Sequence, residues 1–173
     1  MKSNERYKGQ PSEIVSITKT KEVAKMKFEF VERLLAQYGI ILVNKDSKVL
    51  DVGCGEGYLL EYLKDRNIDA TGIELADSPR HKTLKVVKAD AHKLPFEDGS
   101  FDIVWSSGIY DPDLYDQEPA TILKEILRVL KNRGVYIIDD ADQPYIPDNP
   151  RIIKIIDNLN ITETARLSVI GKY

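Results

Sequence analysis

Across residues 19–38 the apolar side chains Val23, Met26, Phe30, Val31, Leu34 and Leu35 recur at three- and four-residue steps, with Gly39 just beyond them. That spacing predicts one amphipathic helix and its stop. The period then changes. Val49, Leu50 and Val52 form a short apolar run before the stretch Gly53-Cys54-Gly55-Glu56-Gly57, and residues 58–64 return to helical spacing. Strand, glycine turn and helix therefore follow one another. Residues 70–73 and 84–88 read as two further strands, the first ending at Glu74 and the second just before Asp90. Residues 101–106 (FDIVWS) make a fourth, entered through the turn Glu97-Asp98-Gly99-Ser100. A helix is expected over 119–131, with Ile122, Ile126, Leu127 and Leu130 on one face, Pro119 in its first turn and Gly134 as its terminator. A fifth strand over 135–138 ends in Asp139 and Asp140. Beyond Pro144, Pro147 and Pro150 the pattern predicts a helix over 151–158 and a last strand over 167–172, leaving only residues 160–164 for a sixth strand.

Alternation of helices with near-continuously apolar strands indicates an α/β fold: a doubly wound, mostly parallel sheet of six or seven strands, covered on both faces in three αβα layers. Ligands in such sheets bind beyond the carboxyl ends of the strands, where strand order reverses. Only fifteen residues lie between Glu74 and Asp90, so the second helix is expected to shrink to a turn through Ser78-Pro79-Arg80 and to leave the site more open there. The part after the fifth strand is shortened as well. The organisation expected is a polar arm over residues 1–18, broken by Gly9 and Pro11, and a single domain over 19–173.

Composition narrows the functions. With 42% hydrophobic and 31% charged residues the chain can build one packed core. A net charge of -3 repels phosphate backbones, which argues against nucleic acid as a partner. Lys19, Lys21, Lys25 and Lys27 interleave with Glu22, Glu29 and Glu32, the pattern of a solvated helix face. Cys54 is the single cysteine, which excludes an intrachain disulfide and a multi-cysteine zinc site and suits a reducing, cytoplasmic setting. No apolar run approaches the ~18 residues of a membrane span, so a soluble protein without a membrane partner is expected.

The candidate chemistry gathers at three strand tips. Alternating Gly53, Gly55 and Gly57 let a ligand approach backbone that a side chain would block, a weak signal alone. Asp51, two residues before the first glycine, discriminates: it would repel a dinucleotide's pyrophosphate and attract an ammonium. The spacing is G-x-G-x-G, not the dinucleotide G-x-G-x-x-G. Glu74, 21 residues after Gly53, can accept from both hydroxyls of a ribose, and Asp90 from an exocyclic amine, with Ala91 adding backbone to that edge. His92 is read as a surface position. His81 has no companion ligands for a metal, and no metal is expected.

Four segments, VLDVGCGEGYLL, GIEL, KADAHKLPFEDGSFDIVWSS and LRVLKNRGVYIIDD, resemble the successive motifs of class I S-adenosylmethionine-dependent methyltransferases, nearest to their small-molecule branch. The resemblance spans residues 47–140. It implies a Rossmann-like fold and S-adenosylmethionine as cofactor. By position, Gly53, Cys54, Gly55 and Gly57 would cradle the methionine portion, with Asp51 near its amino group. Glu74 would hold the ribose and Asp90 the adenine amine, with Leu75 and Ala91 flanking the ring and Ser106 offering backbone. The thiol of Cys54 is read as a small packed group. In-line displacement at a sulfonium needs alignment more than a base; should a proton have to leave the acceptor, Tyr110 and Asp111 in the loop after the fourth strand are the candidates. The acceptor itself is unassigned. The short carboxyl-terminal part implies either a homodimer or partner subunit that completes the acceptor pocket or a large substrate that docks on an open face, and Arg6-Tyr7-Lys8 is a candidate lid. The principal alternative is a non-catalytic S-adenosylmethionine-binding partner or activator subunit. An NAD-dependent oxidoreductase and a nucleic-acid methyltransferase are the others, opposed by Asp51 and by net charge.

Overall fold

The computed structural model describes residues 20–110, 118–140, 144–146, 152–160 and 166–172. The predicted arm, its candidate lid Arg6-Tyr7-Lys8, and Asp111 lie outside them. Helix α1, Lys21–Ala36, begins at Thr20, whose side-chain oxygen accepts from Val23 N–H at 3.2 Å. Strand β1, Lys48–Val52, leads through the glycine turn into α2, Tyr58–Asp65. Strand β2, Asp69–Glu74, is followed by a 3-10 helix over Pro79–Thr83, the expected remnant of a second helix, and by β3, Val86–Lys88. Strand β4, Phe101–Ser107, α3, Pro119–Val129, β5, Leu130–Asp140, β6, Ile152–Asn160, and β7, Arg166–Lys172, complete the described chain.

The seven strands form one sheet in the order β3-β2-β1-β4-β5-β7-β6. Strands β3 to β5 run parallel, whereas β7 pairs antiparallel with both β5 and β6. Strand order reverses between β1 and β4, so the crevice expected of a doubly wound sheet lies at their carboxyl tips.

Alternation along the strands divides the core in two. Val49, Ile103, Trp105, Ile137, Leu167 and Val169 face α1 and α2, where they meet Phe28, Val31, Leu35, Leu59 and Leu63. Leu50, Val52, Val104, Tyr136, Ile138 and Ile170 face the other way, onto Ile122, Leu123, Ile126 and Val129 of α3. Both faces of the central strands are therefore dry, which explains their continuous apolar runs.

Two expectations fail in the carboxyl-terminal part. Residues 151–158 were expected to be helical and 160–164 to supply a sixth strand; instead β6 occupies Ile152–Asn160 and pairs with β7, while residues 161–165 lie outside the described set. Ile152, Ile153, Ile155, Ile156 and Leu159 have helical spacing, yet the ladder breaks register between Lys154 and Ile156 and again between Ile156 and Leu159. Those two irregularities let a strand carry a three-to-four periodicity, and four β-branched isoleucines favour it. The shortened end thus keeps an antiparallel hairpin instead of a helix and one strand.

Gly134 is also not a helix terminator. Helix α3 stops at Val129, and Leu130 is already extended. Arg133 takes the left-handed turn at φ 64°, and a Cβ on Gly134 would stand 2.9 Å from the Asp102 carbonyl oxygen. Gly134 is needed for close approach of β5 to β4, where their register shifts between Phe101 and Ile103.

Candidate active site

The turn after β1 is built from left-handed glycines. Gly53, Gly55 and Gly57 have φ of 70°, 51° and 77°. A Cβ on Gly53 would come within 2.5 Å of Ile109 Cγ2, so the position excludes side chains twice over, by backbone angle and by space. Gly53 and Cys54 both donate their N–H groups to the Ile73 carbonyl at 3.0 Å, which locks the turn to the tip of β2.

Glu74 tightens the same junction. Its Oε2 accepts from Gly55 N–H at 2.9 Å, and its Oε1 from Leu75 N–H at 2.7 Å and Ala76 N–H at 3.1 Å. A carboxylate has about four acceptor positions, so three backbone donors leave Glu74 with one for a ligand hydroxyl unless Gly55 releases its bond. Asp51 is only 4% exposed at the tip of β1. Burial first, then the charges of Glu74 and Asp139, push its carboxyl pKa up to about 8. A positive charge placed beside Asp51 would oppose that shift and favour its ionised form.

The sequence marks Asp139 only as a strand end. It is 1% exposed, beside Ser107 on the neighbouring strand, whose hydroxyl donates to its Oδ2 at 3.1 Å. Lys27 reaches the same oxygen at 2.6 Å, and Oδ1 has no partner. Of the lysines expected on a solvated face of α1, Lys25 is 56% exposed, whereas Lys27 departs from the expectation, 20% exposed and spanning from helix to sheet tip. A long aliphatic stem lets it cross apolar surface, which periodicity does not register.

Between the tips of β2, β3 and β4 lies a cleft walled by Gly53, Glu74, Leu75, Asp90, Ala91 and His92, with Ile109 and Ile122 closing it from the α3 side. Two predicted acids, the first glycine and both predicted ring-flanking residues thus meet in one place. His92 does not stand at the surface as expected. Its side chain is 11% exposed, its backbone N–H and Nδ1 both lie on Asp90 Oδ1, at 2.9 and 2.6 Å, and its Nε2 is buried without a partner. A polar residue within a turn carries no sequence signal of burial, so this one was missed.

The remaining candidates face elsewhere. Ser106 is fully buried, and its hydroxyl joins Tyr136 at 2.8 Å; Tyr136 in turn meets the Tyr110 hydroxyl at 3.0 Å. Burial first, then Tyr136 and Asp140, hold the Tyr110 phenol well above its ordinary pKa. Tyr110 is thus an interior strut, with its backbone N–H on Asp140 at 2.9 Å, and a poor base. Cys54 is buried, its thiol pushed far up by desolvation, and it packs where a Cβ on Gly72 would approach Sγ to 2.6 Å.

The 3-10 helix that stands for the second helix is tied to the glycine turn. Ser78 Oγ donates to Glu56 at 2.7 Å, Arg80 Nε donates to the Glu56 carbonyl at 3.2 Å, and the Arg80 guanidinium lies 4.4 Å from the Tyr58 ring centre. His81 Nδ1 accepts from Ser78 N–H at 3.3 Å, which makes Nε2 the donor to the Gly55 carbonyl at 2.6 Å. The lone histidine of the turn is a clamp on the glycine loop. Among the described residues no group of His, Cys, Asp and Glu could hold a metal ion, and no helix is long and apolar enough to cross a membrane.

The residues that converge fit a cationic adenosine. The apolar walls suit a base and Glu74 keeps an acceptor for a ribose, while Asp51, buried and outside that lining, is near enough for its charge to be felt by that of Glu74. Comparison with known proteins adds a direct match: residues 50–138 correspond to the family described as methyltransferase domain. The 2-methyl-6-phytyl-1,4-hydroquinone methyltransferase of Synechocystis is 35% identical over 135 residues, covering 71% of this chain and 41% of that protein. The chain thus spans about two fifths of that relative's length. The crystal structure of the PH0226 protein from Pyrococcus horikoshii superposes with a TM-score of 0.67 at 21% identity, covering 95% of this chain and all of the other. That of a SAM dependent methyltransferase from Aquifex aeolicus gives 0.57 at 17% identity, with 82% and 89% covered. At these identities the two structures speak for the fold.

Proposed function

The chain belongs to the methyltransferase domain family of class I S-adenosylmethionine-dependent enzymes, and from that premise we propose that it transfers a methyl group from this cofactor to a small organic acceptor. The observation that carries the proposal is the cleft at the sheet's switch point, where Gly53, Glu74, Asp90 and Ala91 meet inside the matched span. The cofactor, when bound, supplies a methyl group already activated on a sulfonium. What falls to the protein is alignment and exclusion of water.

Gly53, Cys54, Gly55 and Gly57 would hold the methionine portion through backbone, with Asp51 turned toward its ammonium, and Ser106 would contribute backbone from β4. Glu74 would take the ribose, while Leu75 and Ala91 would flank the adenine, whose amine edge falls to Asp90. A small acceptor is supported by the hydroquinone named for the Synechocystis relative and by the acidic charge of the chain. A second copy of this chain or a partner subunit is the proposed complement that completes the acceptor pocket. The lone cysteine favours a cytoplasmic setting.

Methyl-labelled S-adenosylmethionine with a panel of quinols, phenols, sterols and amines tests the proposal. Label in an organic product, with S-adenosylhomocysteine released in equal amount, is expected. Tight cofactor binding with no product across the panel would instead support the non-catalytic alternative.

A further inference from the structure

Resting on the cofactor assignment just made, we infer that His81 is a positioning residue: from the 3-10 helix it fixes the peptide between Gly55 and Glu56 and so sets the turn's hold on the methionine portion. The segment 78–84 meets the glycine turn residue by residue. His81 Nε2 donates to the Gly55 carbonyl at 2.6 Å, Arg80 Nε donates to the Glu56 carbonyl at 3.2 Å, and Leu84 Cδ1 stands 2.5 Å from where a Cβ on Gly57 would be. The segment is itself fastened to α2, by Arg80 on Glu61 and by Lys64 Nζ, which donates to the Thr83 carbonyl at 3.1 Å. A short turn thus braces the loop from an anchored base.

Among these contacts the one from His81 controls a peptide that nothing local would hold. Gly55, at φ 51°, has no side chain to restrict its rotation. A trans peptide carries its C=O and N–H on opposite edges of one plane, so holding the Gly55 carbonyl toward the 3-10 helix aims the Glu56 N–H away from it. The preceding peptide is fixed separately, by the Gly55 N–H on Glu74 Oε2 at 2.9 Å. Gly55 is clamped on both sides. Ser78 N–H occupies His81 Nδ1 at 3.3 Å, which puts the proton of the neutral ring on Nε2, the tautomer the clamp requires. A turn already set in its bound shape spares the ligand the cost of ordering it. The gain falls on the methionine portion, since the nucleoside rests on groups of the β2 and β3 tips.

Titration calorimetry on the intact protein tests this with two probes, S-adenosylhomocysteine and adenosine, which lacks the amino-acid end. His81→Asn keeps an oxygen for Ser78 N–H near the Nδ1 position but is too short to reach Gly55. With its fold checked by thermal melting, it should bind S-adenosylhomocysteine about fivefold more weakly, as loss of one hydrogen bond implies, and adenosine as wild type does. His81→Gln, whose amide N–H can stand where Nε2 stood, should recover most of the loss. Nitrogen-15 NMR of the wild-type ring should show the proton on Nε2. Undiminished S-adenosylhomocysteine affinity in His81→Asn, an equal loss for both probes, or a His81→Gln that binds no better than His81→Asn overturns the inference and leaves the cofactor assignment standing, and so does a ring protonated on Nδ1 alone. Failure of wild type to bind S-adenosylhomocysteine overturns both.

Discussion

The two halves of the sheet are built by different means. From β1 to β4 the strands are parallel and straight in register, and their tips are tied to one another through Ile73, Glu74 and His81, each bonding the glycine turn. From β5 to β6 the strands are antiparallel after β5, the ladder slips twice, and Gly134 relieves a third irregularity. The candidate site residues crowd the first half, where small displacements would disturb several of them together. The second half chiefly closes the sheet and tolerates bulges.

A substitution at the strictest point of the first half should have the largest effect. Gly53→Ala forces a side chain into φ 70° and against Ile109. Left-handed geometry alone costs roughly 1–2 kcal/mol and the overlap roughly 1–3 kcal/mol more. Loss of S-adenosylhomocysteine binding by calorimetry, with a melting temperature several degrees lower, is the expected result; unchanged binding would show that the turn is looser than its neighbours.

Next comes the pH response of Asp51. Its folded pKa of about 8 exceeds the ordinary 3.8, so the folded state keeps a proton the unfolded chain gives up. Stability attributable to this group accordingly falls as pH rises from about 4 to about 8. Asp51→Asn should remove that slope. Melting curves should show the variant more stable by about 3 °C or more at pH 9, with the two proteins converging toward pH 4. A parallel offset at every pH would refute the assignment.

The smallest effect sharpens the other half. Ile153 is 48% exposed on β6. In a strand Ile153→Thr should be the more stable of two variants and Ile153→Ala the less stable, by about 0.5 kcal/mol, whereas a helix would reverse the order. Urea midpoints decide the sign.

The same contrast governs what could be read from residues alone. Asp51, Gly53, Glu74, Asp90 and Ala91 sit where an apolar run stops and the period changes, and such breaks mark strand tips directly. The glycine alternation fixed the turn because few other residues accept those angles. Residues 151–158 misled because two bulges let isoleucines spaced for a helix alternate on a strand. Lys27 and His92 were hidden for a different reason: each is a polar residue whose partner lies elsewhere in the fold, Asp139 being more than a hundred positions from Lys27. Tyr110 had the right neighbourhood and the wrong direction, its hydroxyl committed to Tyr136.

Trp105 is the only tryptophan of the chain, pairs in register with Asp51, and stacks against Phe28 of α1 at 5.7 Å between ring centres. A single indole thus sits between the first helix and the strand beside the acidic tip. Its ultraviolet emission is a built-in, unlabelled gauge of whether that helix is seated, and the protein can be followed by light through each of its states without adding a dye.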